Sequence, residues 1–133
     1  MSRGSTRPVS RRQRVARLGE DAAAHYLEAQ GYQIEARNVR FRYGEIDLVA
    51  RATPGETPTR VFVEVKTRAT DTYGPPQNAV GGRKQARLRV LAETYIASRH
   101  LPECRCRFDV IAVRLDASTP ADSPHIEHLV DAF

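Results

Sequence analysis

Three charged residues, Asp47, Glu64 and Lys66, stand inside two apolar stretches that read as neighbouring strands, GEIDLVA (44–50) and VFVEVKTR (61–68). Removing such groups from water is costly unless they are paired, so their presence asks for a chemical reason. Two carboxylates that close repel by about 4 kcal/mol at ~4 Å with an effective dielectric of ~20. A lysine relieves part of that repulsion. A hard divalent cation relieves more, and Mg²⁺ commonly takes one or two carboxylates together with substrate phosphate oxygens. Such a metal polarises a phosphodiester and lowers the pKa of a bound water. An ammonium beside it orients that water or neutralises charge on the phosphorane. The residue types therefore match metal-assisted hydrolysis of a phosphodiester. The competing reading is a solvated Glu-x-Lys pair on a strand face, with no metal.

Strand alternation puts Glu45, Asp47 and Val49 on one face and Ile46, Leu48 and Ala50 on the other. In the next strand Val61, Val63 and Val65 share a face opposite Phe62, Glu64 and Lys66. An antiparallel hairpin with Asp47 opposite Glu64 sets Arg51 opposite Arg60 and leaves residues 52–59 to close the loop. That register keeps both apolar triplets on one face and gathers Asp47, Glu64 and Lys66 on the other. A slip of one residue would separate them.

The elements that must position these groups follow from periodicity. RRQRVARLGEDAAAHYLEAQG (11–31) carries Val15, Leu18, Ala22, Ala23, Tyr26 and Leu27 at helical spacing, with Gly31 as its stop. Glu20 falls on the shoulder of this apolar stripe, whereas Asp21 and Glu28 face solvent. His25 is expected on the surface. The period then changes to two, giving strands over Gln33–Arg42 and Glu45–Arg51 around a turn at Tyr43-Gly44, and a third over Val61–Thr67. Arg68–Gly82 reads as loop. A second helix over Gly82–Arg99 buries Leu88, Leu91, Ala92, Tyr95 and Ile96, and RFDVIAVRL and HIEHLVDAF supply two more strands. The order αβββαββ belongs to the α/β class, a mixed β-sheet flanked by helices.

Charge is unevenly spread. Residues 1–17 hold six arginines and no acid, while the rest of the chain carries 15 basic and 16 acidic side chains. We divide the chain into a basic, flexible arm at 1–12 and a single domain at 13–133. A basic arm on a nearly neutral body suits an anionic polymer, nucleic acid before a membrane surface. No apolar run approaches the roughly 20 residues of a membrane helix, and no secretory signal opens the chain, so the cytoplasm is the expected location. Cys104 and Cys106 read as free thiols, because zinc would need ligands that His100, His125 and His128 do not supply at suitable spacing.

Lysine is scarce, only Lys66 and Lys84 against 19 arginines. Lys84 lies in the first turn of the second helix on the side of Leu88 and Leu91. A cation there opposes the helix dipole, and a phosphate would help it; otherwise its stem covers apolar surface and its ammonium reaches water. Arg68 could touch backbone phosphate or simply close its strand. Gln77 is a weaker candidate, and Asp109 reads as structural.

The combined stretch RLGEDAAAHYLEAQGYQIEARNVRFRYGEIDLVA, VFVEVKTR, YGPPQNAV, RKQARLRVLAETYI and RFDVIAV closely resembles the YraN family of bacterial predicted endonucleases, over about Arg17 to Val113. That family is similar in turn to archaeal Holliday-junction resolvases within the restriction-endonuclease-like, or PD-(D/E)xK, nucleases. The resemblance implies a mixed sheet with flanking helices and an acidic site for Mg²⁺ or Mn²⁺. It implies that Asp47 is the motif aspartate, Glu64 and Lys66 the E-x-K pair, and Glu20 the helical acid of resolvase-type sites. Ile46 stands where the superfamily's name has proline. The reading is then a Mg²⁺-dependent endonuclease acting on structured, branched DNA. Asp47, Glu64 and Glu20 would serve the metal, Lys66 the water and the transition state, and Arg68, Lys84, Arg14 and Arg17 the phosphates. Resolving a junction would call for a homodimer, since it takes two symmetric cuts. The alternative is a non-catalytic DNA-binding accessory protein that keeps the fold.

Overall fold

Helical periodicity gives way to alternation at Tyr32, and the computed structural model follows that change closely. It describes residues 9–53, 55–68, 81–115 and 124–133. The elements are α1 (Arg11–Ala29), β1 (Gln33–Phe41), β2 (Gly44–Ala52), β3 (Thr59–Arg68), α2 (Gly82–Ser98), β4 (Arg105–Arg114) and β5 (His125–Leu129). Ser10 caps α1 in a reciprocal box with Gln13, each side chain taking the other residue's backbone N–H. The helix therefore opens at Arg11, so Arg11 and Arg12 are helical. It ends at Gly31, whose φ of 95° is the left-handed conformation that glycine adopts without strain.

The strands form one sheet in chain order, β1-β2-β3-β4-β5. All neighbours run antiparallel except β3 and β4, which are parallel and are linked through α2. The two helices cover opposite faces. Ala23, Ala24 and Leu27 of α1 pack on Leu48, Val63 and Ile111, while Leu88, Leu91 and Tyr95 of α2 pack on Val49, Phe62 and Phe108. This mixed α/β layout, a five-stranded sheet with a helix on each face, is compatible with the restriction-endonuclease-like fold. Among the described residues no helix is long and apolar enough to cross a membrane.

Two details depart from simple periodicity. Leu18 is exposed; the helix instead buries Gly19, because α1 crosses β3 there at very short range. The second departure is at Ile46. Alternation groups it with Leu48 and Ala50, yet it packs with Val39, Val49 and Phe62 on the α2 side. Pairing runs Arg37↔Leu48 and Val39↔Ile46, so Asn38 falls opposite Asp47. Asn38 has φ 50°, a conformation asparagine tolerates better than most residues. The hairpin turns over at that point and lays its tip on α2. Asp47 sits at the reversal.

Two buried polar networks stitch the layers. Asp109, fully buried, binds Arg107 through both oxygens, His128 Nε2 at 2.7 Å and the Asp131 N–H at 2.9 Å. His128 reaches Tyr26 on α1, and Arg107 reaches Tyr32. On the other face Glu35 gathers the nearly buried Arg60 and the Tyr95 hydroxyl.

A Cβ on Gly19 would lie 1.8 Å from Thr67 Oγ1 and 2.6 Å from Thr67 Cβ, and a β-branched side chain on a strand has little freedom to yield. Gly19→Ala should therefore lose about 1–3 kcal/mol in urea denaturation, despite a helix-propensity gain of up to about 1 kcal/mol. Thr67→Ala, added to it, should recover part of the loss. An unchanged or higher midpoint for Gly19→Ala alone would contradict this close packing.

Candidate active site

The β2–β3 pairing runs from Ala52↔Thr59 through Arg51↔Arg60 and ends at Leu48↔Val63. Asp47 and Glu64 are next across, in the register expected from the apolar triplets. Past Leu48 a side chain takes over from the backbone ladder: Asp47 Oδ2 accepts the Val65 N–H at 2.8 Å. That bond ties the carboxylate to the strand that carries Glu64. Burial pushes the Asp47 carboxyl up, the Glu64 charge adds to it, and the Val65 N–H offsets only part, leaving it pushed up to about 7.

Glu64 is 7% exposed and faces both lysines of the chain. Lys66 Nζ lies 3.7 Å from its Oε2 and Lys84 Nζ only 2.6 Å from the same atom. Burial lowers the Lys66 pKa, and the neighbouring Lys84 charge lowers it further. Burial also disfavours the Lys84 ammonium, but its bond to Glu64 outweighs this and its pKa is raised. The protein itself supplies Lys84 with a negative charge. Its partner is a carboxylate, brought from β3 to the first turn of α2.

An open cleft of about 870 Å³ lies over these groups, lined among others by Glu20, Asp47, Glu64, Lys66, Arg11 and Arg12. Glu20 is at its α1 wall; burial raises its pKa, and a hydrogen bond from Asn38 works against that. The cationic residues of the wall are Arg11 and Arg12. Arg14 and Arg17 are exposed elsewhere on the helix, with Arg14 donating to the Val9 carbonyl at 2.8 Å. The signal was present in the sequence: counting back from Glu20 in steps of four gives Ala16 and Arg12, one helix stripe. Arg68 is half-buried at the end of β3, and Gln77 lies outside the described residues. His25 is exposed.

Among the described residues no three His, Cys, Asp or Glu side chains converge on a point. The donor set is instead two carboxylates on adjacent strands, one with its pKa raised by burial and by its neighbour, the other paired with two ammoniums. Two carboxylates so placed fit a hard cation that takes both and completes its shell with water and substrate oxygens. It does not fit a closed structural cage. A hollow of about 470 Å³ at the other end of the strands, beside Arg51, Arg60 and Cys104, offers no comparable acid pair.

The fold is a mixed α/β sheet flanked by two helices, compatible with the restriction-endonuclease-like class, with an acidic cleft at the open end of its β2–β3 pairing. The chain belongs to the family described as "Uncharacterised protein family UPF0102", whose model matches residues 19–113 and so covers every element from the middle of α1 to β4. It is similar to a UPF0102 protein of Pelobacter propionicus, 48% identical over 86% of this chain and 79% of that one. A UPF0102 protein of Trichlorobacter lovleyi is also 48% identical, over 91% of each chain. One of Moorella thermoacetica is 51% identical over 79% of this chain and 84% of the other.

The folded Asp47 carboxyl titrates near 7 against an ordinary 3.8. The stability it contributes is therefore complete at low pH and is lost as pH rises through about 7. In metal-free buffer Asp47→Asn, which keeps an oxygen for the Val65 N–H, should melt above wild type at pH 8. The gap should narrow as pH falls below 7 and close toward the ordinary value of 3.8. A gap that is independent of pH, or largest in acid, would show that Asp47 is not held in this way.

Proposed function

We propose that this protein is a metal-dependent endonuclease that hydrolyses phosphodiester bonds of structured, branched DNA. The observation that carries the proposal is the convergence, on adjacent strands and under one open cleft, of Asp47 and Glu64 with Lys66 alongside. Asp47 and Glu64 would hold Mg²⁺ or Mn²⁺. A bound cation of this kind supplies a Lewis acid for the phosphoryl oxygen and a water acidified toward hydroxide.

The chain's own groups do the rest. The Val65 N–H fixes the Asp47 carboxylate, so its oxygens need no reorganisation when substrate arrives. Lys66, with its pKa lowered, stands beside Glu64, where an ammonium can orient the attacking water and meet charge that develops on the phosphorane. Glu20 on the opposite wall is placed to accept a proton or to hold a water. Arg11 and Arg12 bind phosphates along the wall, with Arg14, Arg17 and Arg68 meeting the DNA beyond it. Such contacts set position and carry no sequence information, so discrimination is by DNA shape. A four-way junction would require two copies of the chain, whereas a flap or nick would require one.

The second reading, a DNA-binding accessory protein without turnover, draws on the Glu64–Lys84 ion pair, in which the carboxylate is already satisfied internally. Cleavage of labelled four-way junction, flap, single-stranded and duplex DNA in Mg²⁺ or Mn²⁺ separates the two. Wild type should cut a branched substrate preferentially, with Glu64→Ala abolishing the cut and Lys66→Ala slowing it by about 10²–10³-fold, while both variants still bind. Binding without cutting by wild type, on every substrate and with either metal, would hand the protein to the accessory reading.

A further inference from the structure

The chain has two lysines, and both ammoniums converge on one oxygen of one carboxylate, Glu64 Oε2. In a protein with 19 arginines that choice of residue asks for a reason. We propose that Lys84 is the resident counter-cation of Glu64: it holds Oε2 in the metal-free protein and leaves when a divalent ion takes that oxygen. Metal loading is then the displacement of an internal ammonium, not the filling of an open site. The inference rests on the metal reading above and adds a residue on α2 that controls it.

Geometry separates the two lysines. Lys66, at 3.7 Å, is beyond hydrogen-bond range and can stay beside an occupied site. Lys84, at 2.6 Å, uses the lone pair itself. A metal-bound oxygen sits about 2.0–2.1 Å from Mg²⁺, so an ammonium in direct contact with that oxygen would meet the ion at close range. Lys84 is also able to leave. Its side chain is 38% exposed, its stem is four flexible carbons, and a compact ammonium makes no fixed two-point grip. An arginine would grip both carboxylate oxygens at once and resist displacement. Lysine is the cation that can hold Glu64 and still release it.

The local structure explains why the pair forms. Lys84 lies in the first turn of α2, whose N-cap Gly81 offers no side-chain bond and whose first turn has no acid. A cation there opposes the helix dipole, and Glu64 supplies the missing negative charge. Once released, the ammonium lies at the same end of α2, beside the cleft through which a phosphate would enter.

The test is Mn²⁺ binding to the full chain without nucleic acid, followed by the spin-resonance signal of the free ion. Circular dichroism checks that each variant is folded. Lys84→Gln should bind Mn²⁺ roughly tenfold more tightly than wild type, the size of one charge-assisted hydrogen bond. Lys66→Gln should change affinity less. Lys84→Arg should bind more weakly than wild type, because its grip is harder to displace. That variant keeps the ion pair, so it decides the matter even if Lys84→Gln does not fold. Measurable binding by wild type with Lys84→Gln equal or weaker, or with Lys84→Arg equal or tighter, would overturn the inference alone. No Mn²⁺ binding by any folded protein in the set would overturn the metal reading and this inference with it.

Discussion

The structure depends on holding two carboxylates near each other at the end of a strand pairing. Left alone, such a pair opposes folding, since like charges at ~4 Å cost about 4 kcal/mol at an effective dielectric of ~20. The protein accepts that cost by fixing the strands from outside. Apolar layers on both faces set the β2–β3 register, and the Val65 N–H pins one carboxylate. Two ammoniums are drawn to the other. The close crossing of α1 over Thr67 then brings the Glu20 wall over the pair. Removing any of these leaves an acid pair with fewer reasons to stay in place.

Much of this was legible in the sequence, and the reasons are local. The register expected from the apolar triplets of β2 and β3, with Asp47 opposite Glu64, aligns Arg51 with Arg60 as found. Helix spacing located α1 and α2, and Gly31 marked where α1 stops. Glu20 on the inward shoulder does reach the cleft. What was not legible depends on contacts between distant residues. The reversal at Asp47 needs the left-handed Asn38 of the neighbouring strand, and strict alternation therefore misplaced Ile46. The exposure of Leu18 follows from a helix crossing tight enough to admit only glycine.

The buried networks were hidden for the same reason. Asp109 could be read as structural from its place in β4. Nothing local revealed that its partners would include His128, which in turn reaches Tyr26 at the far end of the chain. Likewise Lys84 showed only that it faced inward at a helix start. Its partner came from β3, across a segment outside the described residues. The chemistry of the site thus divides in two. The acids and Lys66 announce themselves by standing in apolar strands, whereas Lys84, which pairs with Glu64, is placed by topology.

The central claim is that Asp47 and Glu64 together hold a divalent cation. Crystals soaked in Mn²⁺ and examined by anomalous scattering test it most directly. The account predicts one strong peak between the two carboxylates, with Lys84 withdrawn from Glu64 and the remaining ligands supplied by water. Ordered crystals that show Lys84 still bonded to Glu64, and no peak between the acids at saturating Mn²⁺, would contradict it.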